Sequence, residues 1–331
     1  MTTRLAGRTR FFAYRAYGVV LHCAAPLPEL ARTDDEVAST DPDITLRFAR
    51  TSRLHRAHAP WFLSVRNPHG RPGLRCAKTR DGYLLQVPGF AEFEVDEAGC
   101  QITALALPRL AKQDLRHLLL DQVLPLVLTL RGREALHATA VLTPFGVCAF
   151  SGPTGVGKST LAAAFHLSGH PVICDDCLVL VDESDAVQAL HGYPGLRLHR
   201  DAIQALAPGH PPARRPRAHA KHRLTSGPWQ LDIQRTPRPL ARIYLLDRQL
   251  GAPGDASAAP LIRPLSGREA MIGLLSHAFR LDITDRRRLI RQFEFLDWVI
   301  RRVPVRQVLL PNSLTRLPDV HAAVLADAAA E

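Results

Sequence analysis

Residues 152–159 read Gly-Pro-Thr-Gly-Val-Gly-Lys-Ser and match the G-x-x-x-x-G-K-S pattern of a phosphate-binding loop. The apolar residues 147–150 that precede it are typical of a buried strand, and residues 161–165 that follow are typical of the first turns of a helix. The pattern functions only in this order of strand, loop and helix. It therefore constrains the surrounding chain to an α/β fold.

The residue types in this loop suit a nucleoside triphosphate. The glycines let backbone N–H groups approach phosphate oxygens, and the following helix adds the positive end of its dipole. Lys158 is expected to reach the β- and γ-phosphate oxygens, and the hydroxyl of Ser159 to ligate Mg²⁺. The predicted nucleotide-binding residues are Gly152, Pro153, Thr154, Gly155, Val156, Gly157, Lys158, Ser159 and Thr160.

The chain before this loop divides into two parts. Residues 1–108 contain short alternating segments, such as 17–21, 44–48 and 83–87, separated by proline, glycine and aspartate. This pattern predicts a small strand-rich accessory domain. Residues 109–133 carry apolar side chains at helical spacing up to Gly132, and we interpret them as a connecting helix.

Residues 134–331 then form the predicted P-loop domain, so the chain is α+β overall. Gly169 marks a helix end, and residues 172–181 are typical of the next strand. Helices are predicted over 267–280 and 285–301, and a last strand over Val305–Leu310. A Gly/Ala/Pro-rich loop is predicted over 251–260.

Composition is that of an ordinary soluble protein, with 331 residues of which 46% are hydrophobic and 22% charged. The longest apolar run, residues 118–130, is interrupted by Asp121, Gln122 and Pro125, so we predict no transmembrane segment. The apolar stretch after the N-terminal arginines is interrupted by Arg15 and His22, so we do not expect an export signal. The six cysteines are scattered, which favours reduced thiols and a cytoplasmic location.

The formal net charge is +11, and its densest stretch is residues 214–223. This stretch lacks aromatic side chains for base stacking, so nucleic acid is an unlikely partner. Two other interpretations remain open: an arginine-rich composition without a specific partner, and a basic loop that closes over nucleotide or an acidic peptide.

Asp175 and Asp176 are adjacent carboxylates within the apolar run 172–181. Such burial is unfavourable unless a cation or a proton transfer uses the carboxylates. We expect one to ligate Mg²⁺ and the other to deprotonate an attacking hydroxyl, although an exposed pair at a sheet edge is the alternative. Cys174 and Cys177 flank the pair, but the sequence offers no second ligand pair for zinc.

A histidine, a phosphate loop and an aspartate pair follow one another here at a characteristic spacing. Residues 131–141, with His137, then the phosphate loop, then residues 169–176, resemble the catalytic domain of the HPr serine kinase/phosphorylase family. Residues 14–18, 27–30 and 192–198 are similar to HPr-kinase-related proteins encoded beside genes for ribosomally made peptides, including lasso peptide kinases that phosphorylate a precursor serine. The resemblance covers most of the chain and is dense from 131 to 200.

The resemblance implies roles for individual residues. His137 would pair with an aspartate, Asp175 would accept the proton of the substrate hydroxyl, and Asp176 would hold the metal together with Ser159. The assignment of one role to each aspartate is open. Asp247, which ends the apolar run 243–246, is an alternative metal ligand. The Glu-x-Arg-Gly segment of the bifunctional enzymes is not recognisable, so neither phosphorolysis nor action on HPr itself is expected.

The function implied by the resemblance is an ATP-dependent, Mg²⁺-requiring serine kinase whose substrate is a lasso or other ribosomally synthesised precursor peptide. Related enzymes assemble into oligomers, so we expect that this chain can form a homo-oligomer. A small-molecule hydroxyl kinase, a nucleotide-binding regulatory protein and an ATPase coupled to nucleic acid remain alternatives. The candidate substrate contacts are Tyr193, Arg197, Lys221 and Arg223.

Overall fold

The computed structural model describes residues 11–30, 32–33, 41–49, 60–66, 72–107, 110–193, 195–209, 221–224, 227–229, 231, 236–249 and 259–330. The chain forms two compact units, one of residues 1–132 with 281–284 and one of residues 133–280 with 285–331. Most of the basic stretch 214–223 and of the predicted loop 251–260 lies outside the described residues. Each unit is mixed in secondary structure, and together they give an α/β protein with large sheets.

The first unit contains a sheet of eight described strands in the order β1-β2-β3-β8-β7-β6-β5-β4. Its strands are β1 (Phe12–Ala16), β2 (Val19–Cys23), β3 (Ile44–Ala49), β4 (Trp61–Arg66), β5 (Pro72–Lys78), β6 (Gly82–Val87), β7 (Ala91–Asp96) and β8 (Gln101–Ala106). The predicted strands over 44–48 and 83–87 are confirmed. The strand predicted over 17–21 is wrong at its start, because Tyr17 (φ 55°) and Gly18 (φ 70°) form the hairpin turn between β1 and β2.

A helical segment ends this unit. It consists of α1 (Lys112–Leu118), a π-helical turn (Leu119–Val123) and α2 (Leu124–Leu130). The π-helical turn ends two residues before Pro125, whose missing N–H and bulky ring disfavour a continuous α-helical ladder. Gly132 follows with a φ of 78°, the backbone conformation that commonly ends a helix.

The second unit alternates strands and helices. Its first half contains β9 (Glu134–Leu136), β10 (Ala138–Thr143), β11 (Gly146–Ser151), α3 (Lys158–Leu167), β12 (Val172–Cys174), β13 (Leu178–Glu183), β14 (Ala186–Leu190), β15 (Leu196–Leu198) and α4 (Arg200–Leu206). Its second half contains β16 (His222–Leu224), β17 (Arg238–Arg248), β18 (Leu261–Pro264), α5 (Gly267–His277), α6 (Arg286–Arg302), β19 (Val305–Leu310) and α7 (Leu317–Ala329), with short 3₁₀ turns at Gly227–Trp229 and Leu314–Arg316.

The main sheet of this unit runs in the order β12-β10-β11-β17-β14-β13-β9, with β19 also on β17 and β18 on β19. Strands β11, β17 and β19 are parallel neighbours, and a two-stranded ribbon of β15 and β16 stands apart. Side chains alternate between the two faces of β11, so that Phe150 packs in a core with α3 and α7, whereas Ala149 packs in a core with α5 and α6. The sheet thus carries helices on both faces. The loop after β11 leaves the sheet at the carboxyl end of this interior strand.

Two predictions in this unit need correction. The strand predicted over 172–181 is two strands, β12 and β13, because the chain bends at Asp175 and Asp176, where Asp176 has a φ of 66°. The helix predicted over 267–280 ends at His277. The helix predicted over 285–301 is observed as α6, and the strand Val305–Leu310 is confirmed as β19.

Two other features agree with the composition. All six cysteines are free thiols. No helix among the described residues is both long enough and apolar enough to cross a membrane.

Candidate functional site

The loop between β11 and α3 adopts a backbone that only glycine accommodates easily. Gly152, Gly155 and Gly157 have φ values of 152°, 85° and 119°, in the region that L side chains disfavour. At Gly152 space is also limiting, since a Cβ atom there would lie 2.6 Å from the carbonyl oxygen of Leu246 on the neighbouring strand β17. The glycines at these positions are thus required by the loop itself.

Lys158, the first residue of α3, is buried and folds back onto this loop. Its Nζ donates hydrogen bonds to the carbonyl oxygens of Gly152, at 2.7 Å, and Pro153, at 3.2 Å. Burial lowers the pKa of Lys158 to about 8; the charge of Asp176 opposes this effect and that of Lys221 adds to it. The ammonium group is therefore poorly solvated, which strengthens its attraction for an anion in the loop.

Asp175 is enclosed by hydrogen-bond donors from three separate elements. Its Oδ1 accepts from the hydroxyls of Thr139, at 2.7 Å, and Ser159, at 2.9 Å, and its Oδ2 accepts from the backbone N–H of Arg197, at 3.1 Å. Burial, followed by the charge of Asp176, raises the pKa of Asp175 to about 6. Both oxygens are already engaged, and one of them touches the phosphate-loop serine.

Asp176 lies beside Asp175 in a different environment. Its positive φ makes the bend between β12 and β13, and its side chain is half-buried. Burial raises the pKa of Asp176, but the nearby cations, Lys221 first and then Arg197 and Lys158, outweigh burial and lower it. This carboxylate is therefore ionised at neutral pH and surrounded by positive groups.

His137 lies between β9 and β10, close to the aspartate pair. Its ring Nδ1 is 3.0 Å from the carbonyl oxygen of Asp176, and its own carbonyl oxygen accepts from the hydroxyl of Ser151 at 3.0 Å. Burial, followed by the charge of Lys158, lowers the pKa of His137, so the ring is neutral at pH 7. In the tautomer with a proton on Nδ1, the ring donates a hydrogen bond to the backbone carbonyl oxygen of Asp176 and fixes the bend between β12 and β13.

A second histidine at this site was not predicted from the sequence. The backbone N–H of His137 donates to the carbonyl oxygen of His277 at 2.7 Å, and the ring of His137 meets Phe279 edge-on. Burial, followed by the charge of Lys158, lowers the pKa of His277 to about 4. His277 ends α5 and is 140 positions from His137, so only the tertiary fold brings the two together.

The four candidate substrate residues lie on or beside the ribbon of β15 and β16. Arg197 and Arg223 are directly opposite each other across the two strands. The guanidinium of Arg223 lies 5.5 Å from the ring centre of Tyr193, and Lys221 directly precedes β16. Since the backbone of Arg197 binds Asp175, the structure brings these residues next to the acid pair.

Two other sequence candidates are placed elsewhere or differently. Asp247 is exposed near the end of β17, where its Oδ1 accepts from the backbone N–H of Arg248 at 2.8 Å. Cys174 and Cys177 are buried thiols, and burial raises the pKa of Cys174. Among the described residues there is no group of three His, Cys, Asp or Glu side chains arranged to hold a metal ion.

Comparisons with known proteins add little to this geometry. No protein-family profile and no curated protein sequence matches the chain. Among solved structures, the chain is similar to the HPr(Ser) kinase/phosphatase from Coxiella burnetii, with 14% identity and a TM-score of 0.30 over 58% of this chain and 95% of that one. A likeness this weak does not assign an activity.

Proposed function

We propose that the protein is an ATP-dependent kinase that transfers the γ-phosphoryl group to a serine hydroxyl of a peptide, such as a lasso or other ribosomally synthesised precursor. The observation that carries the proposal is the contact of Ser159, at the start of α3, with Asp175 of the acid pair, beside the buried cation Lys158. Phosphoryl transfer needs a polyphosphate cradle, a cation and a carboxylate that orients a hydroxyl, all in one site. The choice of a peptide and of serine rests on the sequence resemblance.

The phosphate-binding role falls to the loop and to Lys158. The positive φ values of the loop glycines would let backbone N–H groups face a phosphate at the N-terminus of α3, where the helix dipole favours negative charge. Lys158 donates to two loop carbonyls, and we propose that it exchanges these bonds for phosphate oxygens when ATP binds. Its charge then stabilises the phosphoryl group during transfer.

The neighbouring oxygens of Ser159 and Asp175 fit Mg²⁺, since a hydroxyl and a carboxylate oxygen 2.9 Å apart are the hard ligands that this ion prefers. When bound, Mg²⁺ would neutralise charge on the β- and γ-phosphates. The resemblance assigned the metal to Asp176 with Ser159. The contact of Ser159 with Asp175 favours Asp175 as the metal carboxylate.

Asp176 is then the residue that accepts the proton of the serine hydroxyl. Asp175 is already assigned to the metal, and Thr139 and the backbone N–H of Arg197 hold its carboxylate in place for that role. In the proposed step the serine oxygen forms a bond to the γ-phosphorus, the bond from that phosphorus to the β,γ-bridging oxygen breaks, ADP leaves, and the serine proton passes to Asp176. His137 holds the carbonyl of Asp176 and thereby positions its carboxylate.

The proposal is tested by the intact mass of serine-containing peptides after incubation with the full chain, ATP and Mg²⁺. A library of such peptides, or a precursor peptide encoded next to this protein, serves as substrate. We expect a mass gain of one phosphate, located on serine by fragmentation, which Asp176→Asn and Lys158→Ala abolish.

Three outcomes would count against the proposal. Phosphate transfer to free serine or sugars instead of peptides would identify a small-molecule kinase. Nucleotide binding without transfer to any acceptor would identify a regulatory protein. Salt-sensitive binding of DNA or RNA that stimulates ATP hydrolysis would identify a nucleic-acid-coupled ATPase.

A further inference from the structure

Helix α6 exposes apolar side chains on the side that faces away from the core. Its buried residues are Gln292, Leu296 and Val299, whereas Ile290 and Phe293 are 46% and 51% exposed. Residues three positions apart are neighbours on a helix surface, so these two side chains form one apolar patch. Adjoining large apolar side chains on an exposed face are typical of a binding surface.

Two arginines extend this patch toward the start of the helix. Arg286 and Arg287 are exposed and lie one turn before Ile290 on the same side of α6. Within the described part of the chain, neither guanidinium makes an ion pair or a hydrogen bond. The neighbouring Arg288 differs, because its Nε donates to Asp285 at 2.9 Å.

The position of these arginines does not stabilise the helix. The first turn of α6 contains no acidic residue, and the N-terminus of a helix carries the positive end of its dipole, so cations there are unfavourable. Over its whole length α6 has six arginines and two acidic residues. Of the acidic residues, Asp297 accepts from Arg301 at 2.8 Å, and Glu294 is exposed beside the patch. The outward face is therefore both apolar and positively charged.

The charge pattern decides which occupant fits this face. Exposed arginines lie at both ends of α6, at 286–287 and at 301–302, so pairing with α6 of a second copy would bring arginines against arginines. Nucleic acid would match the charge but not the apolar patch. An anionic lipid surface matches both, since its headgroups attract arginine and its acyl boundary accepts apolar side chains.

We infer that the outward face of α6, formed by Arg286, Arg287, Ile290 and Phe293, docks on a lipid surface that contains anionic headgroups. Ile290 and Phe293 enter the boundary between headgroups and acyl chains, and the two arginines bind lipid phosphates. The net charge of +11 adds a long-range attraction to the same surface. Docking of this kind needs no membrane-spanning helix and does not depend on the proposed kinase activity.

Co-sedimentation of the full chain with lipid vesicles tests the inference. Vesicles of phosphatidylcholine alone are compared with vesicles of phosphatidylcholine and phosphatidylglycerol. We expect binding to the anionic vesicles to be about tenfold tighter or more, and this preference to shrink as salt is added. Equal binding to the two kinds of vesicle, or binding to neither, would overturn the inference.

Matched variants connect vesicle binding to α6. Arg286→Gln and Arg287→Gln should each weaken binding to the anionic vesicles about fivefold, whereas Arg200→Gln, at the exposed first position of α4, should not. Phe293→Ser should weaken binding about tenfold, whereas Phe145→Ser, at a side chain that is 47% exposed between β10 and β11, should not. Equal losses in the variants and their controls would overturn the inference, because binding would then have no specific face.

Fluorescence measures whether this face enters the lipid. Phe293→Trp places an indole on the face, and brominated acyl chains in anionic vesicles should quench it beyond the background of the three native tryptophans. Quenching no greater than in the unmodified protein would contradict insertion.

Two results would assign another occupant and overturn the inference. Association of the chain with itself that Phe293→Ser removes, without vesicle binding, would identify a second copy. Binding of polyglutamate that Arg286→Gln weakens, without vesicle binding, would identify an acidic protein.

Discussion

The hydroxyl of Ser159 donates a 2.9 Å hydrogen bond to Oδ1 of Asp175. Ser159 belongs to the first turn of α3, and Asp175 follows the end of β12, so this bond joins the phosphate loop to the acid pair. Thr139 of β10 donates to the same oxygen and fixes the carboxylate from another side. The position of the carboxylate that we propose as the metal ligand is therefore set by the sheet and not by the loop alone.

We predict that Ser159→Ala and Asp175→Asn each weaken the Mg²⁺-dependent part of ATP binding by roughly tenfold or more, because each removes one of two adjacent oxygen ligands. Their effects should not be additive in the double variant, since both act on one ion. Calorimetric titration of ATP with and without Mg²⁺ measures this directly.

Asp247→Asn is the control for that experiment, because Asp247 is the alternative ligand and lies exposed on β17. It should leave the Mg²⁺ dependence unchanged. Loss of Mg²⁺-dependent ATP binding in Asp247→Asn, with normal binding in Asp175→Asn, would indicate that Asp247 on β17 is the metal ligand.

We expect His137 to act through the hydrogen bond made by its Nδ1 and not through a positive charge on its ring. The bond from its ring to the carbonyl of Asp176 fixes the bend that carries the proposed base, and its lowered pKa keeps the ring neutral. His137→Ala is expected to reduce kcat by roughly tenfold to a hundredfold, less than Lys158→Ala, with little change in ATP affinity. Steady-state kinetics with a peptide substrate gives both quantities.

The conservative variant separates positioning from direct catalysis. The side-chain amide of asparagine can donate from nearly the same place as Nδ1, so His137→Asn should recover much of the lost rate. Equal loss in His137→Ala and His137→Asn would instead indicate that the ring itself contacts the reacting groups.

The glycine-rich loop before α3 could be predicted from the sequence because the determinants of its conformation are local. Gly152, Gly155 and Gly157 provide its positive φ values at fixed spacing within the loop itself. The bend at Asp175 and Asp176 could not, since the surrounding apolar residues are typical of one continuous strand. The donors that make this bend favourable come from Thr139, Ser159 and Arg197, which only the tertiary fold brings together.

His277 illustrates the same limit. It ends a helix whose start is marked in the sequence by a capping box at Ser266 and Glu269. Nothing local indicates that the helix end docks against residues 135–137, a contact made through backbone hydrogen bonds to Ala135 and His137. Backbone pairing of this kind has no side-chain signature that a single sequence could reveal.

Gly152 and Gly155 offer a matched pair for testing the loop. Both have positive φ, but a Cβ atom at Gly152 would lie 2.6 Å from a backbone oxygen, whereas at Gly155 it would meet nothing within 4 Å. Gly155→Ala should cost about 1 kcal/mol of unfolding free energy from backbone strain. Gly152→Ala should cost roughly 2 kcal/mol more, because the backbone of β17 has to move. Urea denaturation of both variants at one pH compares these costs, and similar costs would mean that the loop shifts freely.

The burial of His277 predicts a specific dependence of stability on pH. An imidazole in the unfolded chain has a pKa near 6.5, whereas burial and Lys158 lower that of folded His277 to about 4. Below pH 6.5 His277 binds a proton in the unfolded state but not in the folded state. Its contribution to the unfolding free energy is therefore fully present above this pH and decreases toward pH 4. The decrease due to this one residue is on the order of 2 to 3 kcal/mol.

His277→Gln should therefore show a shallower loss of unfolding free energy between pH 6.5 and 4 than the unmodified protein. Urea denaturation at several pH values measures the slope for each protein.

Part of the acid sensitivity should persist in the variant, because burial also lowers the pKa of His137, His191 and His321. His199→Gln, at an exposed position before α4, is the control and should keep the original slope. An unchanged slope in His277→Gln would mean that the imidazole of His277 is fully solvated in the folded protein, contrary to its partial burial.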